Sequence, residues 1–238
     1  MEKVKRYLVF LCGLFISSLG VSFITKAALG TSPISAIPYV LSLASSLTLG
    51  EYTILFSLLL VALQLILLRR SFQLEHWLQI PISIIFGYFI DLTMLLLAGL
   101  QPYGYVASLF ALLAGCAILA IGVYLEVVAD VAMLPGESFV RAVCTRWDKL
   151  EFGTMKVVFD GTMAVCGGVL SLCFWQKLQG VREGTIVAAL LVGFLVRIMT
   201  RYLGKLDFLW GRKPKEAEEE SLAVEQGEEI IKDSGILR

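Results

Sequence analysis

Five long apolar runs constrain this chain more than any other feature: Tyr7–Phe23, Ile54–Leu68, Leu78–Leu97, Val106–Leu125 and Ile186–Met199. A soluble core does not need runs of this length. A hydrocarbon layer about 30 Å thick does, because it takes about 20 helical residues at 1.5 Å each to cross it. Backbone polar groups find no water inside lipid, and a helix pairs them locally. A transmembrane barrel would show short alternating segments, and these runs do not alternate. Hydrophobic residues make up 58% of the chain and charged residues 17%, whereas a soluble domain carries about 25% charged residues. Mean hydropathy is +0.81. The expected fold class is an all-α integral membrane protein in contact with the lipid bilayer.

The formal net charge is zero, but it is divided along the chain. Residues 212–238 carry eight acidic and five basic side chains, which puts the tail at −3 and the remainder at +3. Nothing is basic enough to suggest nucleic acid as a partner. The tail reads as a solvated, disordered cytoplasmic segment. Met1–Arg6 is short and basic, but the run that follows lacks a small-x-small cleavage site and reads as a retained first span. The five cysteines show no CxxC spacing, and four of them lie in apolar runs as small hydrophobes.

The chain matches itself at an offset of 102 residues. Gly13, Ile16, Gly20, Val21, Ala27 and Pro33 fall on Gly115, Ile118, Gly122, Val123, Ala129 and Pro135. With small insertions, Gly50 and Phe56 fall on Gly153 and Phe159, and Gly87 falls on Gly193. Residues 1–103 and 104–211 therefore read as two copies of one unit. Each copy has a long first span, a short polar segment (Ser32–Leu49 or Pro135–Asp148), and two further spans. The short segments suit re-entrant or interfacial helices, with Pro33 and Pro135 at the first helical position.

Basic residues test the topology. With a cytoplasmic N-terminus and non-crossing short segments, Lys3, Lys5, Arg6, Arg69, Arg70, Arg141, Arg146, Lys149, Arg201, Lys205, Arg212, Lys213 and Lys215 lie inside. Only Lys26, Lys177 and Arg182 lie outside. The positive-inside rule favours this six-span arrangement, with both termini cytoplasmic, over an eight-span alternative in which the short segments cross. Three crossings per copy invert the second repeat relative to the first. Trp77, Trp147, Trp175 and Trp210 fall near helix ends, as an aromatic belt requires.

Gly20-Val21, then Ala28-Leu29-Gly30-Thr31-Ser32-Pro33, then Gly50 before the next span resemble the opening of the YczE/YyaS/YitT family of bacterial membrane proteins. Glu183-Gly184-Thr185 followed by Gly193 is similar to that family's closing helix. The resemblance covers roughly residues 8–204. The second copy departs from it, with Ala132-Met133-Leu134-Pro135 in place of Gly30-Thr31-Ser32-Pro33. The resemblance implies a bacterial cytoplasmic membrane and brings no substrate and no catalytic residue.

Ionisable groups in and near the spans are the candidate solute or ion site, because charge is costly there. Glu126 and Asp130, four apart, share a face at the cytoplasmic end of the fifth helix and can hold a cation or a proton. Lys156 and Asp160 repeat that spacing and read more readily as a self-neutralising pair, as do Glu137 and Arg141. Asp91 and Arg197 each lie four residues after the repeated glycine. They are expected to face the interior, either as a gate or site for a substrate carboxylate, or as a structural salt bridge, with Arg197 snorkelling as the further alternative. The short-helix N-termini present N–H groups together with Ser32, Ser35 and Ser138, an arrangement that serves either ordinary capping or an anion. His76 is the only histidine, which excludes a His-rich metal site. Nothing around Asp91 or Asp160 resembles a protease dyad. No enzyme activity, cofactor or metal is expected. The reading is a small secondary transporter or permease for a small anionic or zwitterionic solute, with a proton as candidate coupling ion. The rival is a non-transporting membrane protein that supports a partner. Small-residue runs suit close helix packing in either case, including homo-oligomers.

Overall fold

The computed structural model describes residues 2–69, 74–147 and 152–203. Every regular element among them is helical. The order is α1 (Glu2–Lys26), α2 (Ala36–Ala44, entered through a 3-10 turn at Pro33–Ser35), α3 (Leu49–Leu68), and α4 (Gln79–Leu96, entered through a second 3-10 turn at Leu74–Leu78). Then come α5 (Gly104–Ala129), α6 (Pro135–Arg146), α7 (Phe152–Trp175) and α8 (Glu183–Leu203). Six of these, α1, α3, α4, α5, α7 and α8, are long and apolar enough to cross a membrane. With its 12 residues, α6 rises only about 18 Å, and α2 with its entry turn is no longer. Both fall short of a hydrocarbon layer of about 30 Å.

Both short helices begin at the expected proline, Pro33 or Pro135, where the missing N–H is not needed. They end earlier than the sequence suggested, α2 at Ala44 because Ser45 turns extended, and α6 at Arg146. Trp77, Trp147 and Trp175 stand at helix ends as expected. Trp210, Arg70, Lys149, Lys205 and the acidic tail lie outside the described residues.

The centre of the fold is the pair α1 and α5, which run antiparallel. Glycines set their separation. A Cβ on Gly20 would fall 2.5 Å from the Leu119 nitrogen, and one on Gly115 would fall 2.8 Å from the Ile24 nitrogen. Farther along the same seam, Gly13 faces Glu126 and Gly122 faces Ser17. Around this pair, α4 flanks α1 and α8 flanks α5; α6 rests on α3, and α2 rests on α7. One buried cluster (Val21, Ile24, Ala27, Leu29, Leu112, Cys116, Ala188) fills the end where α1 finishes. A second (Phe10, Leu14, Ala129) lies where α1 begins, and Leu60, Val140 and Phe159 form a third under α6. Outward faces such as Leu55, Leu59, Leu63 and Ile66 on α3, or Val157, Val165 and Val169 on α7, are exposed and apolar, as surfaces that meet the bilayer must be.

The two terminal hairpins differ. In α3–α4, Gly50 and Gly87 let the backbones touch, and Asp91 sits over the start of α3. Among the described residues no comparable seam joins α7 to α8. Gly153 and Gly193 have open space where a Cβ would stand, and these two helices are the least enclosed of the six.

Candidate functional site

A cavity of about 560 Å³ opens between the beginning of α1, the turn into α4, the end of α5 and the beginning of α6. Its walls carry Glu126, Asp130, Glu137, Ser138 and Arg141, with Gln79 and His76 from the α4 side. The chain bends into it through Asp130, which takes the left-handed conformation (φ +45°) and stops α5. Arg6 secures that turn: its Nε donates to the Ala129 carbonyl at 2.9 Å, and its Nη2 pairs with Asp130 Oδ2 at 3.0 Å. Glu126 is 9% exposed. It lies across the seam between α1 and α5, where Gly13 leaves room for its Cγ, and Ser17 Oγ donates to its Oε1 at 2.5 Å.

Beside Glu126 the cavity wall is a closed polar network. Gln64 Nε2 donates to Gln79 Oε1 and to the Pro135 carbonyl, both at 3.1 Å. Gln79 Nε2 donates to Ser138 Oγ at 2.8 Å, and Ser138 Oγ donates to Gln64 Oε1 at 3.0 Å. Three helices are thereby pinned to one another, and each buried amide is satisfied inside an apolar surrounding.

Of the residues expected from sequence, the structure gathers Glu126, Asp130, Glu137, Ser138 and Arg141 into this cavity. Among the described residues no ion pair joins Glu137 to Arg141, contrary to their expected self-neutralisation; both side chains border the cavity instead. Lys156 and Asp160 do pair, at 3.0 Å on α7, away from it. Ser32 and Ser35 lie at the start of α2, where Ser32 Oγ donates to Ser35 Oγ at 2.8 Å and neither hydroxyl caps the helix.

The expected Asp91–Arg197 pair is corrected. Asp91 caps α3, with Oδ1 accepting from the Gly50 N–H at 2.8 Å and Oδ2 from Thr48 Oγ1 at 2.7 Å. The positive end of a helix already satisfies this carboxylate. Arg197 is exposed on α8 rather than facing the interior. Sequence reasoning missed Ser17, Gln64 and Gln79. Gln64 was detectable, as the one strongly polar residue within Ile54–Leu68.

At the other end of α1, residues 28–32 close onto the start of α8. The Gly184 N–H donates to the Leu29 carbonyl at 2.9 Å, and the Thr31 N–H donates to Thr185 Oγ1 at 3.2 Å. Arg182 reaches the Ala28 carbonyl at 3.4 Å. Gly30, at φ +135°, occupies a conformation open to glycine. Tyr39, 102 residues before Arg141, is half-buried in α2, and burial raises its phenol above the ordinary value. Among the described residues no group of three His, Cys, Asp or Glu side chains forms a metal site.

Residues 4–201 match the model of a family of unknown function, DUF6198. The chain belongs to this family. It is also 28% identical over 199 residues to the uncharacterized membrane protein YczE of Bacillus subtilis (strain 168), covering 82% of this chain and 86% of that protein. The similarity to YczE agrees with the resemblance read from the glycine and proline motifs. No solved structure matches.

Proposed function

We propose that this family member is a small secondary transporter that moves a small zwitterionic solute through the cavity between α5 and α6. The observation that carries the reading is the cavity itself. It is large enough for a small solute, it is bordered by three of the six long apolar helices and by the short α6, and it holds both charge signs, with Glu126 and Glu137 opposed by Arg141. Of the anionic and zwitterionic options, the mixture of signs favours the zwitterion. A guanidinium offers a fork to a carboxylate, and a buried carboxylate offers a site to an amine.

An inverted-repeat origin is part of this reading, with residues 1–103 and 104–211 as the two units. It is supported by the antiparallel α1–α5 seam. The contact of Gly13 with Glu126 becomes that of Gly115 with Ile24 when each residue is moved by 102 positions, and Gly20–Leu119 becomes Gly122–Ser17. Equivalent helices packed antiparallel are what an axis in the membrane plane produces. The helix pairs follow the same exchange, α1–α4 with α5–α8 and α3–α6 with α2–α7. In such a carrier the cavity end and the closed end swap states in turn. The bias of basic residues supports a cavity mouth and both termini on the cytoplasmic side of a bacterial inner membrane.

The test is a thermal-stability screen of the purified chain with small zwitterions, followed by flux into vesicles. A ligand at 100 times its Kd adds about 2.7 kcal/mol. Stabilisation and flux that both vanish in Arg141→Ala support the proposal. Flux unchanged in a folded Arg141→Ala chain counts against it. The second reading, a non-transporting protein that supports a partner, is favoured by the open α7 and α8 faces around Gly153 and Gly193. A stable complex through α7 and α8, without flux for any solute, would decide for it.

A further inference from the structure

We infer that Glu126 is the exchange carboxylate of the cavity, where a proton and the ammonium end of a solute compete for the same oxygen. Three observations converge on it. Glu126 is 91% buried (9% exposed) inside a membrane-spanning helix, yet it borders the cavity. Only Oε1 is engaged, by Ser17; among the described residues Oε2 accepts no hydrogen bond and forms no ion pair. And the Arg6 guanidinium from α1 is already committed, to Asp130 and the Ala129 carbonyl.

An enclosed carboxylate with one free oxygen on a cavity wall is built to receive a cation from that cavity. Its position 102 residues earlier is Ile24, fully buried and apolar, so nothing in the packing of α1 and α5 demands a carboxylate there. The other titratable groups facing it are Tyr7 from α1, His76 from the turn into α4, Asp130 at the end of α5, and Glu137 and Arg141 from α6. None of these combines such burial with an unengaged oxygen.

The exchange balances. When the solute enters, the Glu126 carboxyl releases its proton to cavity water and its carboxylate pairs with the solute's ammonium. When the solute leaves, a proton returns. Coupling this exchange to flux rests on the transport reading above; the binding competition rests on geometry alone.

Dicyclohexylcarbodiimide adds covalently to protonated carboxyls in apolar surroundings, with no leaving group, so it reports the proton directly. The full chain in vesicles is treated with it in the presence of ethylammonium, glycine or acetate as minimal cationic, zwitterionic and anionic probes, and the adduct is mapped by mass spectrometry. The expected result is an adduct on Glu126 and none on Glu137, suppressed by ethylammonium and by glycine but not by acetate. Glu126→Gln should lose the adduct. Ser17→Ala, which spares the carboxylate, should shift the pH dependence of labelling, a change that a merely structural hydroxyl would not cause. A folded chain without an adduct on Glu126 overturns the inference, as does an adduct that none of the probes suppresses, or one that acetate suppresses as well as ethylammonium does. Competition at Glu126 without flux for any zwitterion removes the transport reading and keeps the site. Flux that continues, independent of pH, through folded Glu126→Gln overturns the exchange role of Glu126 and keeps transport.

Discussion

Residues 28–32 and residues 130–134 leave α1 and α5 through the same left-handed turn, at Ala28 (φ +59°) and Asp130 (φ +45°), yet meet their neighbours differently. The first loop is latched to α8 by the Leu29–Gly184 and Thr31–Thr185 hydrogen bonds, over a filled apolar cluster. The second borders a cavity. Side chains at matching positions explain why. Gly184 lets the Leu29 carbonyl approach within hydrogen-bond distance, whereas its match 106 residues earlier is Leu78, too bulky for that approach. Ile24 is packed dry within that cluster, whereas its match Glu126, together with Asp130 and Arg141, needs water, a solute or a charged partner. One backbone plan therefore closes where its lining is apolar and stays open where its lining is charged.

The hairpins teach the same lesson through a single charge. Asp91 accepts hydrogen bonds at the N-terminus of α3 and draws α4 against it. The matching residue on α8 is Arg197, a donor and a cation. It cannot accept from a helix N-terminus, and the positive end of the helix dipole repels it. That reversal accounts for a tight α3–α4 seam and an open α7–α8 face.

The largest contrast is expected from glycine. Gly20→Ala forces a Cβ onto the Leu119 backbone and should cost about 3 kcal/mol. Gly193→Ala enters open space on an exposed helix and should be neutral or stabilising by up to about 1 kcal/mol. Unfolding in mild detergent compares the two; an equal cost at both sites would contradict the open face of α8.

Next comes the cap. Asp91→Ala removes two hydrogen bonds to a charged acceptor and should cost about 2 kcal/mol. Because Thr48 contacts Asp91 directly, combining Asp91→Ala with Thr48→Val should cost less than the sum, by about 1 kcal/mol. Strict additivity would mean that the two side chains do not act as one cap.

A smaller effect is expected at the latch. Thr185→Val takes the acceptor from the buried Thr31 N–H and should cost about 1 kcal/mol. It should also raise the reactivity of Ser32→Cys toward a thiol reagent that cannot cross the membrane. An unchanged reactivity in a folded chain would show that the hydrogen bond does not hold the latch.

Much of this organisation was legible in the apolar runs and the recurring glycines. Five of the six long helices follow from the apolar runs, α7 follows from the repeat and the positive-inside count, and the two short ones follow from their opening prolines. The Lys156–Asp160 pair follows from its spacing of four. The Asp91–Arg197 pairing failed for a physical reason. Equal distance from a repeated glycine fixes height along a helix, but it does not say which neighbour claims the side chain, and the N-terminus of α3 claimed Asp91. Ser17 and Gln79 escaped notice because uncharged polar residues are common in spans, and only tertiary packing brings them to Glu126 and Ser138. The openness of α7 and α8 was equally hidden, since a glycine pattern permits close packing without requiring it.

Alternating exposure of the two ends is tested most directly by distance measurement between spin labels. In a cysteine-free background, one pair is placed across the latch at Ala28 and Glu183, and another across the cavity mouth at Ala132 and Trp77. In lipid vesicles each pair should show two distance populations with complementary weights, the latch pair short when the cavity pair is long. Glu126→Gln or a bound zwitterion should move both weights together in opposite senses. A single unchanging distance for both pairs, with and without solute, would contradict an alternating carrier and leave a static membrane protein.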